Sequence, residues 1–283
     1  MNIDWSLLPV AFAGGALGAA LGANVAFIFT GFMVLIGVAI AAGGGGRDFI
    51  GSVAFGPLLG PHISFAGGVA AAAYAAKRGT HESGRDIGKG LAGLNAPDVL
   101  LVGGAFGAIG FLIQSLLATV PTDSIALTVF LSAVIVRFVF GSSGLLPKAH
   151  AGGGWLPYQR DWPQLIALGA VLGLGSAWML KLLGVDRGGD VLGFGIAAAS
   201  LTFLQTGTSV PVWHHIALPA AIAYTTFGGN IGSVFRTNLN YNRVLTRSAG
   251  ELPHGKHPQQ VVPPARHTRL HHVGGEFVGA GVE

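Results

Sequence analysis

Hydrophobic residues of this chain gather into eight long runs, 6–22, 25–42, 49–76, 97–120, 124–141, 163–184, 191–206 and 211–228, separated by short polar or glycine-rich breaks. None alternates like a half-buried strand, and none carries the broad polar face of a helix on a soluble protein's surface. A hydrocarbon core needs ~20 apolar residues in a helix, and some of these runs barely reach that, so the pattern predicts an all-α polytopic membrane protein with about six to eight transmembrane helices.

The third run is interrupted. Gly56 to Tyr74 reads GPLLGPHISFAGGVAAAAY, with Pro57, Gly60, Pro61 and His62 standing where an ordinary membrane helix would continue. At a constant offset of 153 positions, Ser209 to Phe227 reads SVPVWHHIALPAAIAYTTF, so that His62-Ile63 falls on His215-Ile216 and Pro211 precedes the second histidine pair. Only three of the fourteen pairs from His62 to Ala75 are identical, but the order proline, histidine, small residues is kept. Gly/Pro-interrupted segments at corresponding positions in two halves of a membrane protein point to an internal repeat with a site near mid-membrane. The expected organisation is a first membrane repeat with a basic loop over 1–95, a connecting hairpin and glycine-rich loop over 96–161, a second repeat over 162–242, and a basic, His/Pro-rich tail over 243–283, disordered or lying on the membrane surface.

Composition strengthens the membrane reading. Half the residues are hydrophobic (51%) and only 10% are charged, too little polar surface for a soluble globule. Glycine is abundant at 47 residues, and the spacings Gly14-Gly18-Gly22, Gly103-Gly107 and Gly169-Gly173 would let helix backbones approach closely. Those stripes serve either packing inside one chain or a homo-oligomer. With no cysteine, disulfides and thiol chemistry are excluded. Met1-Asn2-Ile3-Asp4 lacks the positive start of a cleavable signal peptide.

The basic residues fall in loops and the tail, a pattern that sets orientation or touches anionic lipid and does not call for nucleic acid. It places the loop 77–89 and the tail after Asn230 in the cytoplasm, with the protein in the plasma (inner) membrane. Five hydrophobic runs between two basic segments on one face require one re-entrant element, expected at Thr206–Trp213.

Asp4, Asp48, Asp98, Asp123, Asp161 and Asp190 each precede a hydrophobic run and are expected as helix N-caps. That leaves no carboxylate inside a span, an arrangement that argues against a carboxylate-coupled pump. His62, His214 and His215 are the histidines within hydrophobic runs. A neutral imidazole offers one donor and one acceptor, so each ring either handles a polar solute or satisfies backbone freed by a broken helix. Ser64, Gln205, Thr206 and Thr208 would add neutral polar groups, and Arg137 either snorkels to an interface or filters a pore. A monovalent anion drawn to helix N-termini after Gly60-Pro61 and Val210-Pro211 is a further option.

No HExxH or similar constellation is present, and His214-His215 project about 100° apart, so neither enzymatic chemistry nor a metal or other cofactor is expected. The tail histidines His254, His257, His267, His271 and His272 fit contact with the lipid surface. His62-Ile63-Ser64-Phe65-Ala66 resembles the His-Ile-Asn-Pro-Ala-Val run of aquaporin-type channels, and two broken helices per chain resemble urea-transporter architecture. Asn and Pro at the third and fourth positions of the motif are missing from the first copy, and Ala217-Leu218 replaces them in the second. The resemblance implies an architecture only. The function expected is a channel or facilitative transporter for a small polar solute or monovalent ion. The alternative is a non-transporting membrane subunit that docks partners through its glycine faces and basic tail.

Overall fold

The computed structural model describes residues 3–120, 122–141, 162–208, 210–226 and 228–229. All regular structure among them is helical. Three helices are long and apolar enough to cross a membrane, Ala23–Ala42, Pro97–Leu117 and Ile166–Leu183, as an all-α membrane protein requires. The glycine-rich loop 142–161 and the tail 243–283 lie outside the described residues, as does Asp161.

A short 3₁₀ turn over Trp5–Leu7, capped by Asp4, leads into α1 (Leu8–Leu21). At Gly22, where φ is +95°, the chain turns and starts α2 (Ala23–Ala42). Only glycine takes that backbone without strain, and the carbonyl of Lys89 sits 2.8 Å from where a side chain would begin.

After the loop 43–47 a short helix with π-type bonding over Ile50–Ala54 enters the bundle, and helical structure stops across Phe55–Gly60. It resumes with a π-type turn, Pro61–Phe65, continuous with α3 (Ala66–Lys77). The loop 78–96 leads to α4 (Pro97–Leu117) and α5 (Ser124–Phe140), a hairpin turning through 118–123. Beyond the undescribed loop come α6 (Trp162–Leu183), α7 (Gly189–Ser200), the short α8 (Thr202–Gln205) and α9 (His214–Thr226).

Backbone contact replaces side-chain packing through the first half. A methyl group on Gly15 would collide with Gly103 and with Cα of Gly107 at 2.7 Å, and one on Gly67 would meet Cα of Gly15 at 2.5 Å. Three helices therefore touch almost backbone to backbone, the close approach small residues permit where lipid supplies no hydrophobic drive. Gly14, Gly18, Gly103 and Gly107 are all buried in this way, and Gly169 and Gly173 are buried in α6. These glycines are covered within the chain.

Neighbouring residues give the helix directions. Along the segment from Leu59 to Gly68, α2 descends: Thr30 meets Leu59, Phe27 meets Phe65 and Ala23 meets Gly68. α1 ascends beside it, with Gly14 against Ile63 and Gly18 against Ser64 and Gly68. α2 is antiparallel to α7, Val38 lying against Gly188, Val34 against Gly195 and Gly31 against Ala198. α7 is antiparallel in turn to α6, Gly189 lying against Leu180 and Gly193 against Ser176, and to α9, Gly193 lying against Ala217 and Ala197 grouped with Trp213. It follows that α3 and α9 run in opposite directions. The C-terminal ends of α3 and α9 point to opposite ends of the bundle. The tail itself, expected in the cytoplasm with the loop 77–89, lies outside the described residues.

Two polar pairs close the bundle ends. At one end the Arg47 guanidinium holds Asp190 with both nitrogens, at 2.7 and 3.0 Å, and also donates to the Val185 carbonyl. Hydrogen bonding to Asp190 raises the Arg47 pKa above its ordinary value. At the other end Asp98 accepts from the Tyr74 hydroxyl at 2.9 Å and pairs with Arg78. Asp123 does cap α5, accepting from the Ala126 N–H at 3.0 Å. Asp98 and Asp190 are not caps, because the capping positions are Ala96 and Gly188; each sits in the first turn and joins its helix to another segment.

Candidate functional site

The site is built around the break at Phe55–Gly60. Pro57 and Pro61 cannot donate to a helix ladder, and Gly56 and Gly60 bring backbone close to backbone, so the chain leaves helical geometry here, with Gly56 and Gly60 buried and Leu58 exposed. The break frees carbonyl oxygens. Leu59 O accepts from Thr30 Oγ1 at 2.6 Å and from Ser64 Oγ at 3.1 Å. Gly60 O accepts from the backbone N–H groups of Ile63 (2.8 Å) and Ser64 (2.9 Å). Thr30, Ser64 and Ile63 show no measurable exposure. Ser64 thus donates its hydroxyl to the broken backbone. Thr30 was not singled out in the sequence, where it is one hydroxyl in an apolar helix; only the fold brings it to Leu59, 29 positions away.

His62 stands at the first turn of the resumed helix, 3% exposed, with Nδ1 lacking a hydrogen-bond partner among the described residues. The ring folds back on the break: a methyl on Gly60 would lie 2.6 Å from His62 Cε1 and 2.9 Å from Nδ1. The His62 carbonyl packs against Gly110 of α4, where any side chain would strike it.

The second histidine pair begins α9 after residues 210–213, which are not helical. Trp213 packs among Ala197, Leu168 and Leu172, while Pro211 and Val212 before it are exposed. Pro211 has φ fixed and no N–H to offer. His214 is half-buried, and its Nδ1 is enclosed without a partner among the described residues. His215 is exposed, with its ring 4.0 Å from that of His214.

What joins the two broken segments is aromatic. The Phe27 ring on α2 lies 5.6 Å from Phe65, 5.6 Å from Phe194 and 4.7 Å from His214. Phe55, inside the first break, lies 5.4 Å from Phe194. These four phenylalanines went unremarked in the sequence, where phenylalanine in a hydrophobic run carries no special signal. They meet only because α2 and α7 cross the bundle side by side.

Other expected members of the site are elsewhere. Gln205, Thr206 and Thr208 are exposed, with the Gln205 amide close to Gly88 in the polar loop at one end. The Thr206 hydroxyl bonds the Phe203 carbonyl at 2.9 Å. Arg137 is half-buried one turn before the end of α5, beside Val139, whose carbonyl accepts from Lys77 at 2.8 Å. That position is at the bundle end and not at the break. Among the described residues no group of histidine and carboxylate side chains could hold a metal ion.

Chemically, the arrangement offers two partnerless imidazole nitrogens at the starts of two helices of opposite direction, with a phenylalanine cluster between. Neither the curated proteins nor the solved structures include a significant match to this chain. A family model does match, over residues 1–150 and 147–251, and the chain accordingly belongs to that family, described as a family of unknown function (DUF7973).

Proposed function

We propose that this protein is an integral membrane channel or facilitative transporter for a small polar solute or monovalent ion. The observation that carries this reading is the broken helix at Phe55–Gly60 with the buried His62 Nδ1, unpartnered among the described residues, facing it. Non-helical backbone at membrane depth is tolerated where protein or a wet cavity satisfies it. An imidazole left without a partner at such a place is costly unless something visits it. The opposite directions of α3 and α9 support an inverted repeat, α1-α2-α3 against α6-α7-α9, with α4 and α5 as an added hairpin and the α2/α7 contact at its centre. The site then lies where the two broken segments approach Phe27.

Phe27, Phe65 and Phe194 act in this reading as an apolar constriction, which blocks small solutes by dewetting until the rings part. The docking-subunit alternative loses one of its two supports, because the glycine faces are consumed inside the chain. The test is flux through proteoliposomes holding the full chain, with a panel of uncharged solutes, monovalent cations and monovalent anions. Wild type passes at least one class, Phe27→Ala passes it faster, and His62→Ala changes the rate. If neither wild type nor Phe27→Ala passes any member of the panel above empty liposomes, the transport reading is wrong.

A further inference from the structure

We infer that the break at Phe55–Gly60 is a binding site for a small monovalent anion, held by His62 Nδ1 at the start of the helix that resumes at Pro61. It rests on the reading of this break as a site within the bilayer, and deepens it by naming the ligand class.

The argument is one of which groups remain unspent. A cation needs acceptor oxygens, and broken membrane helices usually supply them as freed carbonyls. At Leu59 and Gly60 those acceptors are occupied. Leu59 O already receives the Thr30 and Ser64 hydroxyls, and Gly60 O already receives the N–H groups of Ile63 and Ser64, with Ser64 Oγ also 3.4 Å away. Of the buried side-chain atoms at the break, the one without a partner among the described residues is a nitrogen, His62 Nδ1. A neutral imidazole carrying its hydrogen on Nδ1 donates from that atom, so its natural guest is an acceptor.

The surroundings select for negative charge. His62 lies in the first turn of seventeen continuous helical residues, 61–77, whose dipole places partial positive charge at that end. The second element repeats the arrangement: His214 opens α9 from the opposite direction, its Nδ1 likewise enclosed and unpartnered, and its ring reaches the first segment through Phe27. Two positive helix ends thus converge on one level of the bundle. No carboxylate among the described residues opposes them there. Asp98 and Asp190 lie at the ends of α4 and α7, paired to Arg78 and Arg47. An ion stripped of part of its water at that level meets donors and dipoles and no competing negative charge.

The packing limits the size of any guest: Nδ1 is enclosed, and a methyl group on Gly60 would lie 2.9 Å from it, so the ion is one of few atoms.

The test uses the full chain in detergent with its histidine rings labelled with ¹⁵N, titrated at constant ionic strength with sodium nitrate and sodium formate, and in parallel with sodium gluconate and with urea. Nitrate or formate moves one ring resonance along a saturating curve, gluconate and urea do not, and that resonance is missing from His62→Gln. The apparent affinity for nitrate, followed on the His214 signal or by calorimetry, falls about tenfold or more in His62→Gln, the loss expected for one charge-assisted hydrogen bond. A response to urea but not to the anions overturns the anion assignment and leaves transport standing. A resonance indifferent to every probe overturns it too. Saturable nitrate binding with no flux of any solute in proteoliposomes upholds the anion site and removes the transport reading.

Discussion

Replacing Thr30 by valine keeps the shape of a fully buried side chain and removes the hydroxyl that reaches Leu59 O at 2.6 Å. Hydrogen bonds between helices inside a membrane are worth about 0.6 kcal/mol on average and up to about 1.7. This one is short and points at a carbonyl that the broken helix cannot satisfy, so Thr30→Val is expected to cost about 1 kcal/mol. Ser64→Ala removes the other donor to the same oxygen, at 3.1 Å, and is expected to cost about as much. Either change alone leaves Leu59 O with one partner. Both together leave it with none in a low-dielectric interior, where an orphaned carbonyl costs about 1–3 kcal/mol beyond the lost bonds. The double variant is thus expected to lose about 3–5 kcal/mol, a coupling of at least about 1 kcal/mol. Reversible unfolding in mixed micelles, followed by the fluorescence of Trp178 and Trp213, measures all three variants. Additivity to within about 0.5 kcal/mol would mean that the two hydroxyls do not share one oxygen, and would refute the account of how the break is held.

Three further expectations follow from the packing. Gly18→Ala drives a methyl group into the Ser64 backbone and should cost about 2–3 kcal/mol, whereas Gly51→Ala meets nothing within 4 Å and should stay within about 0.5 kcal/mol of wild type in the same unfolding assay; the reverse order would contradict the helix register. Arg47→Ala removes a two-pronged, partly buried pair to Asp190 and should cost about 1–2 kcal/mol, with Arg47→Lys recovering less than half because an ammonium cannot grip both oxygens; an unchanged midpoint for Arg47→Ala would show that the pair holds nothing. Gln205→Ala, Thr206→Ala and Thr208→Ala alter exposed residues at a bundle end and should change any proteoliposome flux by no more than about twofold, under about 0.5 kcal/mol of barrier; a tenfold loss would return them to the path.

How far the amino-acid order reaches is visible in particular residues. The apolar runs announce helices in a membrane because length and hydropathy are properties of the chain alone, and Asp123 announces the start of α5 because a cap acts within one turn. Pro57, Gly60 and Pro61 mark where helical bonding must stop, since a missing N–H is a local fact. Local rules mislead for Asp98 and Asp190, which look like caps and instead bind Tyr74, Arg78 and Arg47 from other segments. Gln205, Thr206 and Thr208, polar neighbours of a break in sequence, are left exposed at the bundle end by the fold, a placement that spacing alone does not give.

Everything about who meets whom across the bundle belongs to the tertiary structure. Thr30 finds Leu59, and Phe27 joins Phe65, Phe194 and His214, through the antiparallel pairing of α2 with α7 and the backbone-close packing that Gly15, Gly67, Gly103 and Gly107 allow. Sequence spacing carries no trace of such partners, because helix direction and crossing are set by the combined fit of many small contacts rather than by any one residue.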